Sequence, residues 1–239
     1  MERNITKKVY KSIFIGLFSA FFLFSSLSFV ACGSTNVERT TKSKVLKSYN
    51  KIKTGALDNG IDYYILENET PANRIYIRLI VRAGSNLEEE NEQGVAHFIE
   101  HLCFNGTKNF EKNDIVNYFE KIGMNFGSGV NAFTSFEQTV YMLECPADDP
   151  EIFKTSMQIL ADWAHAVSFE PEEIEKERGV VIEEWRTTNQ GITGRLSNFQ
   201  INDILKDSKH SERLPIGKPE IIKNISREEK CLSVLASYG

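Results

Sequence analysis

Cysteine is scarce in this 239-residue chain, which has only four, at positions 32, 103, 145 and 231. Cys32 lies at the end of an apolar N-terminal run, so an odd set of three is left for the folded part. No spacing matches a zinc-type cysteine motif, and disulfide-rich domains carry a dense, even set. The chain is therefore not organised by a disulfide framework. We expect Cys103 and Cys145 to be buried apolar residues.

The chain also lacks an excess of basic side chains. Its 28 Lys and Arg residues face 33 Asp and Glu residues, for a net charge of -5. Residues 1–31 hold four of the basic residues and one acidic residue, and setting them aside leaves 24 basic against 32 acidic, a net charge of -8. Such a surface repels phosphate backbones, which excludes nucleic acid as an expected partner. The hydrophobic content of 41% allows a sizeable core.

The first thirty residues have the composition of an export signal. Lys7, Lys8 and Lys11 precede an apolar run that ends in small residues, which predicts a signal peptide over residues 1–31. The final Phe-Val-Ala-Cys resembles the lipobox of bacterial lipoproteins, so Cys32 is the predicted site of lipidation. The alternative is an uncleaved membrane anchor, since the run is nearly long enough to span a bilayer, although its serines weigh against that.

Either alternative places the folded part outside the cytoplasm, tethered to a membrane of a bacterial cell envelope and facing the periplasm or the exterior. Residues 32–50 are polar and without period, which predicts a flexible tether. The folded domain is expected over residues 51–239.

The hydrophobic pattern after residue 50 mixes strand and helix periods. The predicted strands are 61–66, 74–82, 124–133 and 139–143, and the predicted helices are 94–104, 113–122, 149–166, 172–188 and 191–205. On helix 149–166, the inward residues are expected to be Ile152, Phe153, Met157, Leu160 and Trp163. Residues 206–217 are expected to form a polar loop that holds His210. This order predicts an α+β fold, in which a mostly antiparallel sheet has helices packed on one face.

Histidine is as scarce as cysteine, yet two of the four histidines lie in one stretch, His97-Phe98-Ile99-Glu100-His101. Because they are four residues apart, they lie one turn apart on the same face of a helix. Two imidazoles so placed can bind one metal ion, with Glu100 close enough to act on a water. The His-x-x-Glu-His order is the inverzincin signature. The alternative is a surface helix that happens to carry two histidines and a carboxylate.

A catalytic zinc usually has three protein ligands and an open position, so the two histidines leave one ligand to be found. The segment EIEKERGVVIEEWR offers four candidates, Glu175, Glu177, Glu183 and Glu184. Glu177 and Glu184 are seven residues apart and therefore share one face of the predicted helix. A glutamate-rich helix is more often a solvated surface, and spacing alone leaves the choice open.

Four blocks, GVAHFIEHLCFNGT, GVNAFTSFEQTVY, ERGVVIEEW and RLPIG, occur in the order and at roughly the spacing found in the pitrilysin/insulinase zinc peptidases. The chain resembles this family, which includes mitochondrial processing peptidase, from residue 51 to about residue 227, and is most similar to its bacterial PqqL-like branch. The resemblance implies the two-layer α+β fold of the mitochondrial processing peptidase/LuxS-like metallohydrolases. It also implies one Zn2+ ion per domain and the hydrolysis of peptide bonds in extended peptides or small proteins.

The family pattern carries over residue by residue. His97 and His101 match its zinc-binding histidines, and Glu100 matches the general base that takes a proton from zinc-activated water. Glu184 matches the third zinc ligand. Glu177 matches a carboxylate that orients the site by holding a ligand histidine in the right tautomer.

The resemblance further implies that the strand edge at 129–134 pairs with an extended peptide, so that Asn131, Ala132 and Phe133 contact the substrate. Backbone pairing reads shape more than sequence, so broad specificity is expected. Without the resemblance, Asn131-Ala132 would be interpreted as an ordinary strand end.

Family members combine a domain of this kind with further homologous domains that close over the substrate, so a complementary half is the expected partner. Where the family continues with a helix and a final core strand, the tail KCLSVLASYG lacks a turn-bounded β pattern, and the C-terminal end is expected to be truncated or aberrant. Two alternatives therefore stand beside an endopeptidase that is active only when another polypeptide supplies the closing half. One is a truncated fragment that cleaves nothing, and the other is a peptide- or zinc-binding lipoprotein.

Overall fold

The structure, a computed structural model, describes residues 49–125 and 127–225. The predicted signal peptide, the lipidation site Cys32, nearly all of the tether and the tail after residue 225 lie outside the described residues. The chain divides into two compact units between Glu67 and Asn68, and each unit is described by itself. In the described part of the chain, no helix is long and apolar enough to cross a membrane.

The described part of the first unit is a β-hairpin. Strand β1 (Lys53–Ala56) pairs antiparallel with strand β2 (Asp62–Ile65). The N–H of Leu57 donates to the carbonyl of Ile61 across the turn, at 2.8 Å. Gly60 has a φ of 88°, a left-handed conformation that glycine adopts without steric cost. The predicted strand at 61–66 is confirmed to within one residue at each end.

The second unit is built on a three-stranded antiparallel sheet. Its strands are β3 (Arg74–Val81), β4 (Val130–Thr134) and β5 (Thr139–Pro146), and they lie in the order β3-β5-β4. The central strand β5 is largely buried, with Leu143 and Cys145 inaccessible to solvent. Residues of β3 alternate between a covered face and an exposed face, as expected of a half-buried strand.

Strand β4 is shorter than the predicted strand at 124–133. Residues 127–129 form a turn, in which the N–H of Gly127 donates to the carbonyl of Val130 at 2.8 Å, and Gly127 has a φ of 93°. The prediction was wrong there because apolar residues continue to alternate through a glycine-containing turn. Strand β5 extends beyond residue 143 because β3 pairs with it from Val81 opposite Thr139 to Arg74 opposite Pro146.

The helices of the second unit are α1 (Val95–Leu102), α2 (Asp114–Lys121), α3 (Pro150–His165), α4 (Pro171–Gln190), α5 (Ile192–Ile204), α6 (Lys209–Glu212) and α7 (Pro219–Ile222). Helices α1 and α3 contact the sheet on its covered face, while the other face of β3 is exposed. The predicted α+β fold with helices on one face is thereby confirmed. Short helix α6 lies within the segment 206–217 that was predicted to be a polar loop, so that prediction was wrong there. Short helix α7 was not predicted.

Helix α3 enters the core through only part of the predicted line. Leu160 and Trp163 are buried and Ile152 is partly buried, as predicted, but Phe153 and Met157 are 43% and 44% exposed. Ser156 and Ile159 join the inward line in their place, and both are inaccessible to solvent. Hydrophobicity could not identify this line because the helix carries apolar residues on both faces and buries a serine.

Both cysteines of the described residues are free and buried, as predicted. The sulfur of Cys103 lies 3.2 Å from the Tyr141 hydroxyl, and its carbonyl accepts a hydrogen bond of 2.8 Å from the indole N–H of Trp163. Burial raises the pKa of the Cys103 thiol to about 12, which makes the thiol unreactive at neutral pH. Cys103 therefore packs the end of helix α1 against α3 and β5.

Candidate metal centre

Helix α1, which carries the His-x-x-Glu-His motif, begins at a carboxylate cap. Glu88 accepts hydrogen bonds from the N–H groups of Gly94, at 3.0 Å, and Ala96, at 2.9 Å. Two N–H groups that the helix itself leaves unpaired are thus satisfied at its positive end. Burial raises the pKa of the Glu88 carboxyl to about 7, against the opposing effect of these two N–H groups.

The RLPIG block, residues 213–217, packs against the start of helix α1. Arg213 is only 5% exposed, and its Nε donates to the Glu88 carbonyl at 3.1 Å. Gly94 has a φ of 98°, and a Cβ added to it would lie 2.9 Å from the Cα of Gly217. Both glycines are needed because the two backbones approach too closely for any side chain. This contact fixes the position of the helix that carries the histidines.

The two histidines of helix α1 and one glutamate of helix α4 converge on one point. The Nε2 atoms of His97 and His101 are 3.2 Å apart. Glu184 places one carboxylate oxygen 3.3 Å from Nε2 of His101 and the other 3.8 Å from Nε2 of His97. Within residues 49–125 and 127–225, this is the group of three His, Cys, Asp or Glu side chains whose donor atoms lie close enough to share a metal ion.

These donors fit a zinc ion. Ligand atoms about 2.0–2.1 Å from a tetrahedral zinc lie about 3.3 Å from one another. The 3.2 Å between the two Nε2 atoms and the 3.3 Å from His101 to Glu184 match this spacing, and the 3.8 Å from His97 to Glu184 is longer. Burial, followed by the neighbouring imidazole of His101, lowers the pKa of His97 to about 4, so His97 is neutral at pH 7 and keeps a lone pair for a metal. Burial acts to lower the pKa of His101, but hydrogen bonds to Glu177 and Glu184 outweigh it and raise that pKa to about 9. The two glutamates thus favour a positive charge at His101, and a bound metal ion would supply one.

The other three candidate glutamates of helix α4 differ in whether they contact the histidines or solvent. Oε1 of Glu177 accepts a hydrogen bond from Nδ1 of His101 at 2.8 Å. Glu175 and Glu183 are largely exposed and pair with Arg178 and Arg186 one turn further along the helix. The structure therefore brings Glu177 and Glu184 to the histidines and turns the other two candidates to solvent.

Asn105 joins this arrangement, although sequence reasoning did not single it out. Its side-chain N–H2 donates to the second oxygen of Glu177 at 2.7 Å. Burial acts to raise the pKa of Glu177, but the hydrogen bonds from His101 and Asn105 outweigh it and lower that pKa. Asn105 lies three residues beyond the end of helix α1 at Leu102, so helical spacing gave no signal for this contact.

Glu100 lies on the same helix with its carboxylate almost entirely buried. Its Oε2 accepts a hydrogen bond of 2.8 Å from the hydroxyl of Thr134, the last residue of β4. Burial raises the pKa of Glu100 above its ordinary value, although the Thr134 hydroxyl opposes this. The carboxylate is therefore a stronger base than one in water.

Asn131, Ala132 and Phe133 lie on β4, which ends at Thr134 beside Glu100. In the described residues β4 pairs with β5 on one side only, so its other edge is available. The N–H of Ala132 donates a hydrogen bond of 2.9 Å to the side-chain oxygen of Asn131. Pairing with a peptide requires a strand edge without a strand partner, and this one ends beside the buried carboxylate of Glu100.

His210 does not belong to the metal centre. Its Nε2 lies 3.0 Å from the side chain of Asn86 and 3.3 Å from Glu137, and its ring packs against Phe136. His210 was expected in a polar loop, but it lies on short helix α6; its side chain is 39% exposed, and its ring contacts these residues. His210 instead supports the turn between β4 and β5.

The fold and the site define a class, an α+β domain in which an inverted His-x-x-Glu-His motif lies in a candidate metal centre. The chain belongs to the insulinase family, described as Insulinase (Peptidase family M16), which residues 63–212 match. It is 37% identical over 199 residues to the "Probable zinc protease PqqL" of Haemophilus influenzae, covering 83% of this chain and 21% of that protein. The resemblance of the four sequence blocks to the pitrilysin/insulinase family is thus confirmed.

Solved structures agree with this assignment. The crystal structure of the periplasmic protease PqqL from Escherichia coli superposes with a TM-score of 0.74 at 36% identity, covering 81% of this chain and 21% of that one. The first half of that protease, solved separately, gives the same score and identity over 40% of its own length. The chain therefore spans about a fifth of the length of the two full-length PqqL proteins.

Proposed function

We propose that this chain is the zinc-bearing domain of a metalloendopeptidase that hydrolyses peptide bonds in extended peptides or small proteins. The observation that carries the proposal is the convergence of His97, His101 and Glu184 beside the buried carboxylate of Glu100. The names of the relatives, which are zinc proteases, support zinc as the metal. A structural zinc site needs no buried base next to its ligands, whereas a hydrolase needs a general base there. Glu100 is a carboxylate in that position.

The roles of the residues follow from their contacts. His97, His101 and Glu184 would hold one zinc ion, which when bound supplies the positive charge that polarises a peptide carbonyl and acidifies water. Glu100 takes a proton from the attacking water on its carboxylate and delivers it to the departing amine nitrogen. Glu177 holds the proton of His101 on Nδ1, so that Nε2 keeps its lone pair.

Substrate would bind as an additional strand on the free edge of β4. Asn131, Ala132 and Phe133 lie along this edge, and Phe133 is 42% exposed. A peptide that pairs here must displace the contact between the Asn131 side chain and the Ala132 N–H. Main-chain pairing beside Thr134 would bring the scissile bond of the peptide towards Glu100. Because this pairing uses backbone groups, it would not depend on a particular peptide sequence.

The partner would be a complementary homologous domain or subunit that closes over the substrate. Support comes from the length of the relatives, of which this chain spans about a fifth, and from the fact that one solved fragment is a first half. We further propose a lipoprotein location, with residues 1–31 as signal peptide, Cys32 lipidated and residues 32–50 as a tether before the domain at 51–239. A related protease is described as periplasmic, which agrees with an envelope location.

The test compares wild type with Glu100→Gln, using the full chain purified with zinc. Both proteins are expected to bind one zinc per chain by elemental analysis, because Glu100 is not a ligand. When the complementary half is supplied, only the wild type is expected to cleave a quenched-fluorescent peptide of extended sequence, and removal of zinc by a chelator should stop cleavage. Equal hydrolysis by the two proteins would refute the role of Glu100. Zinc and peptide binding without any turnover, even with that half present, would instead favour a binding protein or an inactive fragment.

A further inference from the structure

Asn105 makes a contact that the role of Glu177 as an orienting carboxylate does not explain. Glu177 is 14% exposed in its side chain, and each of its oxygens has one partner, Nδ1 of His101 at 2.8 Å and Nδ2 of Asn105 at 2.7 Å. Asn105 follows helix α1, whereas Glu177 lies on helix α4. The Asn105 contact is therefore a link between the two helices that hold the candidate ligands.

The direction of these hydrogen bonds determines what the link can do. A carboxylate only accepts, so His101 must carry its proton on Nδ1 and Asn105 must present its N–H2 group to Glu177. A glutamate side chain has three rotatable bonds, and one hydrogen bond leaves it free to swing about the Oε1 contact. A second hydrogen bond to the other oxygen fixes the plane of the carboxylate and hence the line along which it meets the imidazole.

We propose that Asn105 is a positioning residue for the metal centre, which acts through Glu177 to set the orientation and tautomer of His101. This inference rests on the proposed zinc site. Among residues 49–125 and 127–225, the Asn105 side chain hydrogen-bonds to Glu177 and to neither a candidate ligand nor Glu100, so its effect would reach the metal through two successive hydrogen bonds. Removal of Asn105 leaves an oxygen of a largely buried carboxylate without its donor and releases the constraint on the imidazole.

The test is a double-mutant cycle on zinc affinity, measured with the full chain by competition against a chromophoric chelator. Removing a group that orients a metal ligand typically costs 10–100-fold in affinity, so Glu177→Ala is expected to fall in that range and Asn105→Ala to cost about tenfold. In the Glu177→Ala background, Asn105→Ala is expected to change affinity by less than about twofold. Asn105→Ser, whose hydroxyl is too short to reach Glu177, should behave as Asn105→Ala does.

A matched control is Asn109→Ala, in the loop that follows. Asn109 donates to the buried Asp162 at 2.8 Å and has no contact with Glu177, so it should lower the thermal midpoint of the metal-free protein and leave zinc affinity within about twofold. Equal zinc affinity of Asn105→Ala and wild type would overturn the positioning role, as would an unchanged Asn105→Ala effect without Glu177. Failure of the wild type to bind zinc would overturn the proposed zinc site itself, so the two failures are distinguishable.

Discussion

Replacing Arg178 by methionine tests whether helix α4 is held by buried carbonyl contacts or by a surface ion pair. The guanidinium donates to the carbonyls of Ile222 and Ile225, the latter at 2.9 Å, and lies 6.0 Å from the ring centroid of Phe98 on helix α1. It also forms an ion pair with Glu175, whose side chain is 70% exposed. Arg178 thus joins the helix of Glu177 and Glu184 to helix α1 and to the segment around α7.

The expected loss is dominated by the carbonyl contacts. A hydrogen bond from a charged donor contributes about 1.5–3 kcal/mol, whereas an exposed ion pair contributes about 0–1 kcal/mol. Methionine retains most of the aliphatic stem, so little packing is lost while two carbonyls lose their donor. We expect Arg178→Met to lower the free energy of unfolding by about 3 kcal/mol. This corresponds to a fall of about 6–12 °C in Tm for a domain of this size.

Urea unfolding of the metal-free chain, followed by circular dichroism, measures this loss. Arg186→Met is the matched control because Arg186 lies on the same helix and pairs with Glu183 at the same spacing, at 3.1 Å, with its side chain 56% exposed. It should cost less than about 0.5 kcal/mol. Equal losses in the two variants would refute the reasoning, since they would show that the ion pairs and not the buried carbonyl contacts account for the effect.

Two further predictions concern buried carboxyls. The pKa of Glu88 in the folded protein is about 7, above its ordinary value of 4.5. Between these two pH values the folded state holds a proton that the unfolded chain releases. The free energy of unfolding therefore falls as pH rises from about 4.5 to about 7. The stability of the wild type relative to Glu88→Gln should therefore decline between pH 5 and pH 7.5 in urea titrations without zinc, and a constant difference would contradict this. Thr134→Val removes the hydroxyl that counteracts the raised pKa of Glu100, so the acidic limb of the kcat/KM profile should move to higher pH. An acidic limb at the wild-type position would show that Thr134 does not tune the base.

What the sequence could reveal about the site was set by distance along the chain. His97, Glu100 and His101 lie within one turn and a half of a helix, so local periodicity alone predicted their shared face. Glu184 lies far along the chain, and spacing narrowed the choice only to a face of helix α4; the family pattern supplied the rest. The contacts of Asn105 and Thr134 were not found, because a hydrogen bond between distant segments leaves no periodic trace.

The same limit applied to the fold. Helices α1 to α5 were predicted to within a few residues at each end, because each is long enough for its period to be visible. The inward line of α3 was predicted only in part, since Ser156 is buried while Phe153 and Met157 are exposed, and only packing against the sheet decides such a case. The start of β4 was misplaced because the turn at 127–129 depends on backbone conformation at glycine.

The separation between the histidine pair and Glu184 has a kinetic consequence. Helix α1 can present two imidazoles as soon as it forms, but the carboxylate arrives only after the chain between them has closed a long loop and helix α4 has docked. An early intermediate would thus offer zinc a two-ligand site of low affinity, and the third ligand would be added in a late step. Tight zinc binding during refolding would then coincide with the docking of helix α4. The metal would stabilise the fold after it has formed and would not nucleate folding.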